Sequence, residues 1–280
     1  MIVIILAVLV IFEVVVQFGS AIGLGGSESA IISVVAALII LLVHGWNALG
    51  WRHLVAYLII AVVISFTAEA LGVATGLVFG PYHYTDLFGP KLLGVPPLIQ
   101  AAYAAMGYAS LTIARLILRM RGAPKGIGSV LGLALLGAMI MVAWDVAMDP
   151  YQSTVSGIWI WHTGGPYFGV GFHNFVGWFG TVFCYLLVYC FYASRNPEQP
   201  NTSVVESRLF WSMPVFLYAA FGLGNITPVW TGLQQPYASA NNYNGSPQTL
   251  SQSLALVTIY VMGIPVVASL LNLWRGDEAT

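Results

Sequence analysis

The sequence predicts an all-α integral membrane protein with about eight transmembrane helices, or seven if one of the weaker runs does not span. Three observations carry this. Of 280 residues, 59% are hydrophobic and 7% charged, too little charge to cover a soluble domain of that length. Apolar runs of spanning or near-spanning length fall at about 2–22, 29–44, 54–76, 97–118, 127–148, 173–193, 209–224 and 251–274. The basic residues between those runs collect on one side. The whole chain, 1–280, reads as a single polytopic domain whose polar motifs lie in a core at 60–195.

The first run has no basic start, exceeds signal-peptide length and carries Glu13 and Gln17 one turn apart, so it reads as a retained helix. The second is short. The third carries Glu69 and the fifth Asp145, each inside an apolar stretch, where an ionisable side chain is a functional hypothesis by default. Cys184 and Cys190 lie in the sixth run on different sides of one helix and cannot bridge each other. The seventh run is short and holds Pro214.

Arg52, Arg115, Arg119, Arg121, Lys125, Arg195, Arg208 and Arg275 follow or flank the even-numbered links, and Lys91 alone falls in an odd one. The positive-inside rule then places both termini in the cytoplasm and the links after the third, fifth and seventh helices outside, in a multi-pass protein of the cell membrane. A net charge of −1 with no basic patch gives no surface for nucleic acid.

The first two outer links suggest a tandem helix-hairpin repeat. Glu69, Pro81-Tyr82, Gly89-Pro90 and Gly94-Val95 run parallel to Asp145, Pro150-Tyr151, Gly165-Pro166 and Gly169-Val170. Such a repeat would bring the two acids toward one outward-leaning cavity. The third outer link, with Gln234-Gln235-Pro236-Tyr237 and Asn241 to Gly245, reads as a solvated loop or partial lid.

Asp145 and Glu69 are deep enough to lose much of their water. Burial disfavours the charged form of a carboxyl, and a neutral carboxylic acid near pH 7 is a ready proton donor. Asp149 stands one turn beyond Asp145. His83 and His173 lie at helix ends in the same region, each able to act as base, orienting partner or metal ligand; His44 and His53 lie near the basic side and read as interfacial. A single metal on His83, His173 and an acid is conceivable, but no site is assigned. Five histidines are too few for a membrane di-iron hydroxylase, no acid-rich run suits a magnesium diphosphate, and no late-helix lysine suits retinal. Tyr82, Tyr84, Trp144, Tyr151, Trp161, Tyr167, Asn174 and Trp178 crowd the same stretch as candidate substrate contacts. Part of this aromatic set reads as an ordinary interfacial belt.

The segment Thr67–Pro96, followed by Trp144–Pro150, the Trp159/Trp161 pair, Gly164–Val170 and Phe172–Phe179, resembles the CruF-type membrane carotenoid hydratases, which include bisanhydrobacterioruberin hydratase and the enzymes that hydrate the acyclic end of gamma-carotene. The resemblance covers about 60–195 and departs at Gly171, where proline is expected. It implies cofactor-free addition of water across the terminal 1,2 double bond of an acyclic carotenoid end, giving a tertiary alcohol. It also implies a substrate taken from the bilayer and association with other enzymes of carotenoid synthesis. That chemistry needs an acid, a dry aromatic wall for a tertiary cation, and a group that orients water. Asp145 is the first choice for the acid and Glu69 the rival; Asp149, His83 or His173 would orient water. The readings left beside it are a carotenoid-end cyclase, prenyl transfer, and a transporter that uses the buried acids for ion coupling.

Overall fold

The computed structural model describes residues 1–21, 27–120, 122–232, 241 and 243–275. Eight long helices are found among them: α1 (Ile2–Ala21), α2 (Ser27–Leu49), α3 (Trp51–Thr75), α4 (Pro97–Ile117), α5 (Gly126–Asp149), α6 (Phe172–Arg195), α7 (Arg208–Ile226) and α8 (Pro247–Trp274, with a π turn at Thr258–Met262). Seven are long and apolar enough to cross a membrane, and α4 is the eighth. The chain is thus a multi-pass, all-α membrane protein. Pro214 sits inside α7 without ending it.

The exception of α4 has a packing reason. It is buried without interruption from Tyr103 to Arg115 and packs against α2, α3, α5, α6, α7 and α8. A helix that meets protein on all sides needs small residues rather than lipid-facing Leu and Ile. Ala104, Ala105, Gly107, Ala109 and Ser110 supply them; the Tyr185 hydroxyl occupies the place a Gly107 side chain would need. Lipid-facing side chains such as Val8, Ile11 and Val15 of α1 lie on the periphery. Gln17 ties α1 inward, its Nε2 donating to Glu13 Oε1 at 2.8 Å and to Ser33 Oγ of α2 at 3.1 Å.

Alternating helix directions put the links after α3, α5 and α7 on one face. There the strands β1 (Tyr82–Tyr84) and β2 (Trp159–Trp161) form an antiparallel pair, Tyr82 opposite Trp161 and Tyr84 opposite Trp159. The third link joins them through Asn241, whose Oδ1 accepts from the Trp161 amide and whose Nδ2 donates to Thr154 Oγ1, each at 2.9 Å. Asn241 is therefore a buried clamp rather than part of a solvated loop; Gln234–Tyr237 and Asn242 lie outside the described residues.

The repeat holds in one part and needs correction in another. Leu92 pairs with Val95, and Tyr167 with Val170, each across a tight turn with two successive positive φ angles (Leu93 50° and Gly94 81°; Phe168 52° and Gly169 92°). The helices α4 and α6 then start behind Pro96 (φ −67°) and Gly171 (φ −76°). Proline takes the latter angle equally well, so the departure at Gly171 leaves the loop shape intact. The Pro-Tyr elements do not correspond: Tyr82 opens β1, whereas Pro150 and Tyr151 lie in a π turn (Pro150–Val155) that prolongs α5, and β2 is the true counterpart of β1.

On the opposite face Arg115 and Glu198 form a buried ion pair at 2.5 Å, and the Gln199 and Asn201 amides bond Leu49 and Asn47 carbonyls. Arg52, Arg119, Lys125, Arg195, Arg208 and Arg275 sit at helix ends on this face, while Lys91 lies on the sheet side; Arg121 is outside the described residues. His44 and His53 are buried here rather than interfacial, because the link between α6 and α7 folds under the helix ends. His44 stacks on Phe210 at 3.9 Å and is hydrogen-bonded to Tyr108 Oη at 2.7 Å and the Phe210 carbonyl oxygen at 3.1 Å.

Candidate active site

Glu69 lies about two turns from the end of α3 and is 1% exposed. Its Oε2 accepts hydrogen bonds from the hydroxyls of Tyr82 and of Tyr84 (2.9 Å), and Oε1 from that of Tyr103 on α4 (2.8 Å). Strand alternation explains the first two: Tyr82 and Tyr84 point inward from β1 while His83 points out. Burial, then the Glu69 carboxylate, pushes both phenols well above their usual range, so they remain neutral donors.

Asp145 and Asp149 lie one turn apart at the end of α5 and share the amide of Asn174 on α6. Its Nδ2 donates to Asp149 Oδ2 at 2.5 Å and to Asp145 Oδ2 at 3.2 Å. Asp149 Oδ1 accepts from the Trp159 indole at 2.8 Å; the Trp161 indole N–H is near the same carboxylate but makes no bond of ordinary length. Asp145 Oδ1 is fully buried and has no partner among the described residues. Glu69 faces the aspartates across the aromatic contacts of the sheet, Tyr82 and Tyr84 of its shell lying against Trp161 and Trp159, and Trp159 bonding Asp149. Among the described residues no Lys or Arg pairs with any of the three.

An aromatic wall joins the two halves. Tyr103 stacks on Trp178 at 4.1 Å with planes 9° apart, Trp178 meets Trp144 edge-on at 6.2 Å, and Trp144 meets Phe221 of α7 at 5.9 Å. From the sheet, Tyr82 lies against Trp161 and Tyr84 against Trp159.

The backbone explains the place of Tyr167. Pro150 has no N–H to give the Val146 carbonyl four residues back, and the Tyr167 hydroxyl donates to that carbonyl at 3.1 Å. Burial, then the charges of Asp145 and Asp149, pushes the Tyr167 phenol up to about 12. Tyr151 is half-buried in the π turn.

The structure thus brings together Glu69, Asp145, Asp149, Asn174, Tyr82, Tyr84, Trp144, Trp161, Tyr167 and Trp178. His83 and His173 are not in this group: both are exposed, and His83 bonds His162 across the outer face of the sheet. Among the described residues no three His, Cys, Asp or Glu side chains gather as a metal site, so His83, His173 and an acid do not converge. Tyr103 is not among the residues singled out in the sequence, Asn241 reads there only as part of a solvated loop or partial lid, and Trp159 is named without its bond to Asp149. Of these only Tyr103 carried a signal, as a large polar ring in the Ala-rich start of α4.

A family model described as carotenoid biosynthesis protein matches residues 29–239, a span that holds all three acids, Asn174 and both strands. Comparison with curated proteins and with solved structures found no match. By the extent of the family match, the chain belongs to the carotenoid biosynthesis protein family.

Proposed function

We propose that this protein hydrates the terminal 1,2 double bond of an acyclic carotenoid end group, giving a tertiary alcohol. The observation that carries the reading is the asymmetry of the three acids gathered beneath the sheet; Glu13, also buried with a free Oε2, lies apart from them in α1. Both oxygens of Glu69 and both of Asp149 accept hydrogen bonds, as does Asp145 Oδ2; Asp145 Oδ1 alone accepts none among the described residues. Asp145 is the proton donor in this reading, since its Oδ1 is the one oxygen of the three carboxyls with no hydrogen bond to give up.

The steps balance without a cofactor. Asp145 gives its proton to the less substituted alkene carbon, and the π pair forms the new C–H bond. The tertiary cation left behind lies beside Glu69, Asp149 and the faces of Trp144 and Trp178, each aromatic contact worth about 0.5–2 kcal/mol. Asp149, fixed by Trp159 and Asn174, orients the water whose lone pair closes the C–O bond. The proton that water sheds returns to the Asp145 carboxylate. Neutral tyrosine and indole donors around Glu69 and Asp149 hold those carboxylates without quenching them, as Lys or Arg would.

The substrate reaches the site through the bilayer. By the positive-inside rule the Arg-bearing face is cytoplasmic and the sheet looks outward, with both termini inside. The test is a pigment profile. Expressed in cells that accumulate lycopene, the protein should yield carotenoids heavier by one or two waters; products of unchanged mass would point to a cyclase, and products heavier by a prenyl unit to prenyl transfer.

A further inference from the structure

Among the described residues the β1–β2 pair is the only sheet, and its two faces differ. The inner face gives Tyr82 and Tyr84 to Glu69 and Trp159 to Asp149. Outside, His83 projects from β1 and His162 follows directly after β2. Their ring nitrogens Nδ1 and Nε2 lie 2.8 Å apart, with ring centroids at 5.0 Å. Such a bond needs one donor and one acceptor, so at least one imidazole must be neutral. Two imidazolium rings in that geometry have no acceptor and repel each other.

We propose that His83 and His162 are a positioning pair that latches the sheet over the acid site and releases it when both rings are protonated. The inference rests on the proposed hydratase reading for its effect on turnover, though the latch itself does not. Among the described residues the charged groups around the pair are few. From the link after β1, Lys91 donates to the Tyr84 carbonyl at 3.0 Å and pairs with Asp86 at 2.6 Å; from α6, His173 packs against Gly80. β2 itself brings only Trp159, Ile160 and Trp161. Burial, then His162 and Lys91, holds the His83 imidazole below its ordinary range. The folded latch therefore binds fewer protons than the open sheet. Its stability is complete above the ordinary imidazole value of about 6.5 and is lost as pH falls below it. Opening would remove two of three donors from Glu69 and the indole from Asp149, so acidity outside the membrane would switch the site off.

The experiment uses the full chain in lipid nanodiscs with a metal chelator present, between pH 8 and 5. Backbone hydrogen exchange is read at Thr85 and His162, whose amides close the two ends of the pairing on the Ile158 and Pro81 carbonyls, each at 2.9 Å. After correction for the intrinsic rate, exchange at both should rise about tenfold per pH unit below the second protonation, while amides within α5 and α6 stay protected. Hydration should fall in step. His162→Gln, whose amide can bond the remaining imidazole but cannot be charged, should be flat in exchange and should lose the part of the hydration fall that runs in step with exchange, leaving only the acids' own pH profile; His162→Asn serves if that variant fails to fold. Flat exchange in the unaltered protein, or an unchanged exchange step in the variant, overturns the latch. An exchange step with constant hydration overturns the positioning role. If hydration is absent at every pH, the reaction assignment fails, and the exchange step still decides the latch.

Discussion

Asp145 and Glu69 are both buried acids near the sheet-side end of an apolar helix, and their partners differ. Glu69 receives three hydroxyls, which suits a fixed anion facing a cation. Asp145 receives one amide shared with Asp149, and its buried Oδ1 has no partner among the described residues. Asp145→Asn keeps size and polarity but removes the transferable proton, so hydration per folded protein should fall about 10²-fold or more with carotenoid still retained. Tyr103→Phe should behave differently. It strips one donor from Glu69 while keeping the stack on Trp178, and should cost about 1–3 kcal/mol in thermal unfolding with a smaller loss of rate. Near-normal turnover in Asp145→Asn would transfer the acid role elsewhere. The acids were legible in the sequence because a carboxylate in an apolar run is costly and therefore conspicuous. Their partners were not, because Tyr103 reaches Glu69 across 34 residues of chain and nothing in either run encodes that register.

Among the elements, the sheet was the least visible in sequence. Three-residue strands have no periodicity to read, and Trp159-Ile160-Trp161 looks like any interfacial aromatic cluster. The π turn hid for the same reason: Pro150 signals a helix end, yet α5 carries on past it and Tyr167 takes up the orphaned carbonyl. This shift is why the two Pro-Tyr motifs fail to correspond although the two tight turns do. Asn241 is the test of the layer as a unit. Asn241→Ala removes two buried hydrogen bonds, to Trp161 and to Thr154, and should lower stability by about 1–3 kcal/mol in detergent melts. Exchange at His162 should rise with it. Unchanged exchange would mean that the third link does not hold the sheet.

For the whole molecule, the eight apolar runs fall on the eight long helices found among the described residues, and seven of these are long and apolar enough to cross a membrane. What composition could not foretell was the central place of α4, which follows from its small residues and from the helices that surround it. The proposed orientation is checked by cysteine labelling in a chain lacking Cys184 and Cys190. A cysteine at Asp86, whose side chain is 92% exposed on the sheet face, should react with an impermeant reagent from outside, and one at Lys125 should not. Reversed labelling would invert the topology and put the acid site on the cytoplasmic side.

The central claim is that water adds to a carotenoid end, and the direct measurement is the origin of the new oxygen. Purified protein is given an acyclic-ended carotenoid without air in isotopically labelled water, and the product is weighed by mass spectrometry. The account predicts a tertiary alcohol carrying the label, formed at an undiminished rate without oxygen and lost with Asp145→Asn. A hydroxylated product without the label, or a requirement for oxygen, would contradict it.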